Sequence, residues 1–130
     1  MTILLIKTDQ AEASLFLYEG TKLIRVLRWA ADRQLAETIH LQIRDLLMLV
    51  DKTIEDLGGI GIYSGPGSFT GLRIGHSVAN ALAYGLGIPI VGTMGSQWND
   101  QAVQLLENGE GQSDAMPFYG APPRLTKPRK

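Results

Sequence analysis

The apolar residues near the start of the chain form short runs of the length that is typical of β-strands. Three short apolar runs occupy residues 3–6, 13–18 and 23–29. The turn at residues 19–22, Glu-Gly-Thr-Lys, joins the second run to the third as a hairpin, because glycine tolerates the backbone conformations of tight turns. The pattern therefore predicts an antiparallel meander of three strands.

The apolar period changes to about 3.6 residues between Gln34 and Val50, which predicts a helix. The positions that share one helical face are Leu35, Ile39, Ile43, Leu46 and Val50. Other apolar residues in the last turns, Leu47 among them, widen the apolar stripe beyond one face. Two interpretations stay open, a wholly buried core helix or a helix with one face left for a partner.

The remaining elements alternate between strand and helix. Thr53 and Asp56 have the spacing of a capping box, which predicts a single helical turn. Gly87 ends the second long helix as a C-terminal stop. The predicted segments are a strand at 60–63, a helix at 69–86, a strand at 88–91 and a helix at 96–107. The order β-β-β-α-β-α-β, with one more helix, predicts an α/β class fold with helices packed on a mixed sheet.

Composition divides the chain into a body and a tail. Residues 1–108 are predicted to form a single α/β domain, and residues 109–116 have the composition of a linker. Residues 117–130 contain four prolines and four basic residues without an acidic one. Because proline lacks an N–H donor and fixes φ, we expect an extended tail, with simple disorder as the alternative.

The overall composition is that of an ordinary soluble protein. The 130 residues are 45% apolar and 19% charged, with a formal net charge of −1. This balance excludes disorder of the whole chain and gives no global reason to expect binding to nucleic acid or an anionic membrane. The chain has no cysteine, which excludes a disulfide scaffold, a thiolate nucleophile and cysteine-ligated metal. The first residues lack the pattern of a signal peptide, so we expect a cytoplasmic protein.

The most informative motif joins the strand at 60–63 to the helix at 69–86 as a glycine-rich turn. Its spacing is that of neither a Walker A loop nor a dinucleotide fingerprint. Backbone N–H groups at such a helix start can bind an anion. The residues for which we consider an anion or nucleotide contact are Ser64, Gly65, Pro66, Gly67, Ser68, Thr70 and Arg73. The alternative is that the glycines serve only backbone geometry and packing, with Ser68 as an N-cap and Arg73 in solvent.

Small side chains recur every four residues on the second long helix. The row consists of Gly71, Gly75, Ala79 and Ala83, with bulkier residues nearby at Leu72, Val78 and Leu82. Such a row lets another backbone approach closely. It predicts either packing on the sheet or, if the row faces outward, contact with a partner helix.

The glycine motif resembles a known family signature. Residues 65–75, GPGSFTGLRIG, resemble the signature of the TsaB (YeaZ) family, and residues 81–92 resemble its next segment. The resemblance covers roughly residues 3–95. It implies an actin-like, RNase H-like half-domain without a cofactor of its own. It also implies a non-catalytic subunit that binds the catalytic protein TsaD, joined by the ATPase TsaE, in forming threonylcarbamoyladenosine in tRNA.

The resemblance also implies where a partner binds. In the family the two long helices dock against the same helices of TsaD or of a second copy, which forms a homodimer. The positions that this implies for the partner interface are Leu35, Ile39, Ile43, Leu46, Leu47, Val50, Gly71, Leu72, Gly75, Val78, Ala79, Leu82 and Ala83. The basic tail is the segment for which contact with tRNA phosphates stays open.

Two departures from the family pattern bear on other functions. Lys7 stands where family members usually have an aspartate, the residue that positions metal and phosphate in actin-like ATPases; Asp9 is the nearby carboxylate that could take that role, and the second half of the family fold is missing. Both departures argue against an ATPase that acts alone, so the alternative that stays open is an actin-like nucleotide-binding protein or ATPase whose ATP or ADP site is completed by a partner. A metalloprotease is excluded, because the two histidines, His40 and His76, lie on different predicted helices. The sequence predicts no catalytic residue and no metal site.

Overall fold

Five strands form one mixed sheet in the order β3-β2-β1-β4-β5, within residues 1–117, which are the part of the chain that the computed structural model describes. The elements are β1 Thr2–Lys7, β2 Glu12–Glu19, β3 Lys22–Ala30, α1 Leu35–Met48, β4 Leu57–Tyr63, α2 Phe69–Leu86, β5 Ile90–Thr93 and α3 Trp98–Glu107. This order confirms the element sequence that the hydrophobic pattern predicts.

Strand directions follow the connections between the strands. β1, β2 and β3 form the predicted antiparallel meander, and β1 pairs with β4 and β4 with β5 in parallel. The parallel pairs are joined through helices, as crossover connections require. β1 is the central strand, and its residues Ile3 to Ile6 are fully buried because helices cover both faces of the sheet there.

The two faces of the sheet are covered by different helices. α1 and α2 pack on one face, where the larger core includes Leu4 and Ile6 of β1. α3 packs on the other face, where Ile3 and Leu5 point. Alternation along β1 therefore sends successive side chains into two separate cores.

The ends of α2 agree with the sequence signals, whereas the start of β5 does not. Ser68 caps α2 by accepting a hydrogen bond from the Gly71 N–H, and Gly87 ends the helix with φ of +68°. The strand predicted at 88–91 begins instead at Ile90. The reason is that the Ile88 N–H donates to the Ala83 carbonyl as part of the helix end, and the next residue is a proline without an N–H.

The chain after α3 lies against the domain. Residues 109–116 have the composition of a linker, yet Gln112 forms an antiparallel bridge with Ile90, and Ala115 is buried. Composition does not indicate these contacts. Of the predicted extended tail, residues 118–130 lie outside the described residues. No helix of the described part is long and apolar enough to cross a membrane.

Candidate functional site: the glycine loop and the helix groove

The glycine loop meets the end of β1. The Ser68 N–H donates to the Asp9 carbonyl, with nitrogen and oxygen 3.1 Å apart. The ammonium of Lys7 lies 2.6 Å from the Asp9 carboxylate and 4.6 Å from the centre of the Tyr63 ring. The carboxylate that could act in place of the missing family aspartate is therefore already paired with a cation.

Close packing explains the spacing of the glycines. A Cβ atom on Gly67 would overlap the side chain of Asp9, and one on Gly71 would overlap the carbonyl oxygen of Thr8. A Cβ on Gly75 would overlap the Thr8 hydroxyl oxygen. That hydroxyl donates to the Gly71 carbonyl at 2.7 Å. The loop, the start of α2 and the chain at the end of β1 are thus in direct contact. This contact favours the interpretation that the glycines serve close packing.

The first residues of the loop have their own constraints. Gly65 adopts φ of +116°, a conformation that L side chains rarely take. The Tyr63 hydroxyl donates to the Pro66 carbonyl at 2.9 Å. The Ser64 N–H donates to the Thr93 carbonyl at 2.8 Å, which ties the loop to the end of β5.

A buried serine–histidine pair lies behind the loop. Ser64 and His76 are almost fully buried, and the Ser64 hydroxyl oxygen is 3.0 Å from His76 Nε2. His76 Nδ1 is 2.7 Å from the Leu72 carbonyl, which can only accept. In the neutral ring Nδ1 therefore donates, and Nε2 accepts from Ser64. Burial lowers the pKa of His76, which favours this neutral ring.

The pair is a feature that sequence reasoning did not identify. Ser64 and His76 are twelve positions apart, the segment between them spans a loop and two helical turns, and no local pattern signals their contact. Because both side chains are buried, the pair fixes α2 to the end of β4 and offers no open surface to a substrate.

The small row on α2 faces the sheet, which corrects its assignment to a partner contact. Gly75, Ala79 and Ala83 are buried, and Gly71 touches Thr8. The physical reason is that small side chains let α2 approach the central strands. A partner helix cannot reach this row in the folded monomer.

Most of the other predicted interface residues also belong to the core. Those that are buried within the monomer are Leu35, Ile39, Ile43, Leu46, Leu47 and Leu72. Those that are half-buried at the edge of the core are Val50, Val78 and Leu82. The assignment of the buried residues to a partner surface is therefore wrong, because apolar side chains on α1 fill the space between the helix and the sheet.

An open groove remains on the outer side of α1 and α2. It has a volume of about 400 Å³, and we call it the helix groove; its lining residues are Ala36, His40, Thr70, Arg73, Ile74, Ser77 and Val78. Next to it, sharing His40, lies an apolar cavity of about 420 Å³ whose lining includes Met48, Ile54 and Leu82. Thr70 and Arg73, considered above for anion contact, thus line a surface between two helices.

Several large apolar side chains on α1, directly after it and on α2 are exposed. Leu41 and Met48 are 49% and 63% exposed, and Leu49, directly after α1, is 56% exposed. Phe69 at the start of α2 is 55% exposed, with the Arg73 guanidinium 5.5 Å from its ring centre. The sequence predicts more apolar residues on α1 than one buried face can hold, and the structure does expose some of them. The exposed residues are not those that share the buried face of the helix.

Potential metal ligands are scattered in the described structure. Within residues 1–117 no group of three or more histidine, aspartate or glutamate side chains is placed to hold a metal ion. Asp9, the carboxylate nearest the glycine loop, has Lys7 as its neighbour rather than a second acid.

Comparison with known proteins identifies relatives of the chain. The family model "TsaD: tRNA N6-adenosine threonylcarbamoyltransferase" matches residues 29–112. A protein of that name from Geotalea daltonii is 45% identical over 62 residues, which are 48% of this chain and 18% of the relative. The tRNA threonylcarbamoyladenosine biosynthesis protein TsaB of Buchnera aphidicola is 34% identical over 90 residues, 69% of this chain and 42% of the relative.

A solved structure supports the same relationship. YeaZ from Pseudomonas aeruginosa superposes with a TM-score of 0.66 and 27% sequence identity, covering 72% of this chain and 43% of that protein. The chain thus spans less than half the length of the relatives that it matches.

The sheet order and the helix positions define the class as an RNase H-like, actin-like half-domain. Within that class, the chain belongs to the family that the TsaD model describes, since the match covers well over half of it. The resemblance to TsaB (YeaZ) proteins that residues 65–75 predict is confirmed by the matches to TsaB and YeaZ. The names of these relatives refer to threonylcarbamoyladenosine formation in tRNA.

Proposed function

We propose that the chain is a non-catalytic subunit that binds a TsaD-type threonylcarbamoyltransferase in the cytoplasm and supports formation of threonylcarbamoyladenosine in tRNA. A TsaE-type ATPase joins through the resulting complex. The observation that carries the proposal is the helix groove, an open surface between the two long helices of a domain that belongs to this family.

The composition of the helix groove suits a protein partner. It combines half-buried apolar side chains, Ile74 and Val78, with the exposed polar side chains of Thr70 and Ser77. The adjoining apolar cavity adds Met48 and three charged lining residues, Arg44, Lys52 and Glu55. An apolar centre with a polar rim is the usual anatomy of a protein interface.

Two features of the glycine loop support a non-catalytic role. The Asp9 carboxylate is paired with Lys7, so its charge is compensated before any metal or phosphate binds. Gly67 packs directly against Asp9, which leaves no gap between loop and strand at that point. These contacts favour a structural loop over a phosphate cradle.

The proposal is tested by the affinity for a purified TsaD-type subunit, measured by isothermal titration calorimetry. The variant Ala36→Arg, Ser77→Arg places two long cations in the helix groove, at positions that are exposed in the monomer. We expect a folded protein whose affinity falls at least about tenfold, a loss of about 1.4 kcal/mol.

The matched control is Gln104→Arg, an exposed position on α3, on the other face of the sheet. It should bind as the unchanged protein does. Absence of binding by the unchanged protein contradicts the function. Unchanged affinity of the double variant, with loss in the control, means that the partner docks on the α3 side.

A further inference from the structure

The helix groove is the middle one of three cavities that adjoin each other along α1 and α2. A cavity of about 370 Å³ at the start of both helices shares Thr70 and Ile74 with it. The apolar cavity at the end of α1 shares His40 with it. We call the three cavities together the trough. Because its lining includes Leu35 and Met48, the trough follows all 14 residues of α1, a length of about 21 Å.

The floor of the trough is apolar in all three cavities. Ile74, Val78 and Leu82 follow one another at four-residue spacing on α2, and each is half-buried. The buried side chains of Ile43 and Leu47 on α1 line the same cavity as Leu82. Apolar side chains of another segment that cover this floor would remove apolar surface from water, which is favourable.

The charges around the trough differ in sign from those of the rest of the domain. Residues 1–117 contain 8 basic and 13 acidic residues, a net side-chain charge of −5. Four of these basic residues but only two of the acidic ones line the trough, so the trough has a net charge of +2 and the remainder of the domain −7. The basic residues of the trough are Arg33, Arg44, Lys52 and Arg73, and its acidic residues are Asp32 and Glu55.

Much of this positive charge is not neutralised inside the domain. In the part of the chain that the structure describes, neither Arg33 nor Arg73 forms an ion pair. The other two cations have exposed or partly exposed partners, and such ion pairs are weak. These pairs are Arg44 with Asp45 at 3.5 Å and Lys52 with Glu19 at 3.6 Å.

We propose that the trough binds an amphipathic helix of the TsaD-type partner whose apolar stripe is flanked by acidic residues, an inference that rests on the proposed function. The backbone groups of α1 and α2 are bonded within each helix, so an extended segment would find no backbone partners there. A helix satisfies its own backbone groups and can place apolar side chains from successive turns on the floor. Its carboxylates then pair with Arg33, Arg73 and Arg44, of which each of the three cavities contributes one.

The apolar floor favours a protein helix over RNA as the occupant. Phosphate groups also suit a basic surface, but phosphate oxygens against Ile74, Val78 and Leu82 would lose water without gaining hydrogen-bond donors. Apolar side chains flanked by carboxylates match both the floor and the cations.

The experiment measures the affinity for a purified TsaD-type subunit by isothermal titration calorimetry. The variant Arg44→Glu, Arg73→Glu reverses two charges at exposed positions. Unlike arginines added at Ala36 and Ser77, it brings no extra bulk into the trough. We expect a folded protein whose affinity falls at least about tenfold, because like charges then face each other across the interface.

The matched control is Lys22→Glu, Arg28→Glu, which changes the net charge by the same amount at exposed positions of β3. Arg28 lies 5.8 Å from the centre of the Phe16 ring, which packs in the core on the α3 side of the sheet, away from the trough. Its affinity should change by less than about twofold, because charges farther apart than the Debye length of about 8 Å are largely screened.

Carbodiimide crosslinking identifies the charged groups of the partner directly. The variant Arg44→Lys, Arg73→Lys keeps both positive charges and supplies amines, which carbodiimide joins to carboxylates in contact with them. Mass spectrometry of the complex should find crosslinks from positions 44 and 73 to aspartate or glutamate residues of one partner helix.

Three results would overturn the proposal. Unchanged affinity of Arg44→Glu, Arg73→Glu, or a complex without crosslinks from positions 44 and 73, removes the acidic helix and leaves the proposed function in place. Absence of binding by the unchanged protein removes both. Binding of tRNA to the isolated chain that Arg44→Glu, Arg73→Glu abolishes, with unchanged affinity for the TsaD-type subunit, assigns the trough to RNA instead.

Discussion

Adding one methyl group at Gly71 should destabilise the fold, because the glycine motif serves close packing of α2 on β1. The Cβ of Gly71→Ala would overlap the Thr8 carbonyl oxygen, a backbone atom that cannot rotate away. Relief requires movement of α2 away from β1. That movement also stretches the hydrogen bond from the Thr8 hydroxyl to the Gly71 carbonyl.

The size of the effect follows from three contributions. Overpacking costs about 1–3 kcal/mol, and the weakened hydrogen bond adds about 0.5–1.5 kcal/mol. Alanine in place of glycine inside a helix returns about 1 kcal/mol. We therefore expect the free energy of unfolding to fall by about 2 kcal/mol, a large part of the stability of a small domain.

The same helix provides a matched control in Gly85→Ala. Gly85 is exposed, and a Cβ there would have no atom within 4 Å, so only the helix preference of alanine acts. Its free energy of unfolding should rise by about 0.5–1 kcal/mol. Urea unfolding followed by circular dichroism at 222 nm measures both variants. A Gly71→Ala variant that is as stable as the unchanged protein, or that shifts in the same direction as Gly85→Ala, would refute a packing role for Gly71.

Three further predictions follow from buried or paired groups. Ala79→Trp should unfold the domain, because Ala79 is fully buried. If the row of small side chains faced outward, this variant would instead stay folded. A cooperative urea transition like that of the unchanged protein would contradict the prediction. Burial lowers the pKa of His76 in the folded protein, so as the pH falls this histidine is protonated in the unfolded state before it is protonated in the folded state. The free energy of unfolding should therefore fall as the pH drops below about 6.5. In His76→Gln this dependence of stability on pH should be weaker. The isolated protein with magnesium and ATP should release no phosphate above background, and robust release that Asp9→Ala abolishes would contradict the structural role of the Lys7–Asp9 pair.

Local signals in the sequence predict the elements of the fold well. The change of hydrophobic period after Gln34 separates the meander from α1, and Ser68 and Gly87 mark both ends of α2. These signals succeed because caps and periodicity depend on residues within one or two helical turns. The resemblance at residues 65–75 then supplies the family, which periodicity alone does not.

The orientation of α2 depends on a residue far away in the chain. A row of small side chains suits both a sheet and a partner helix, and the contact with Thr8 decides between them. The Ser64–His76 pair and the hydrogen bond from the Ala115 N–H to the Asn80 side chain likewise join distant segments. Such contacts arise from tertiary packing, so no local pattern announces them.

The position of the partner surface is tested most directly by methionine oxidation of the complex. Met1, Met48, Met94 and Met116 are the four methionines of the chain, and all are at least 46% exposed. Of these, only Met48 lines the apolar cavity next to the helix groove. Peroxide oxidation, read by mass spectrometry with and without a TsaD-type subunit, therefore reports on separate surfaces. We expect the complex to slow oxidation of Met48 while Met94 and Met116 react at the rate of the free protein; protection of Met94 or Met116 with Met48 unchanged would contradict docking at α1 and α2.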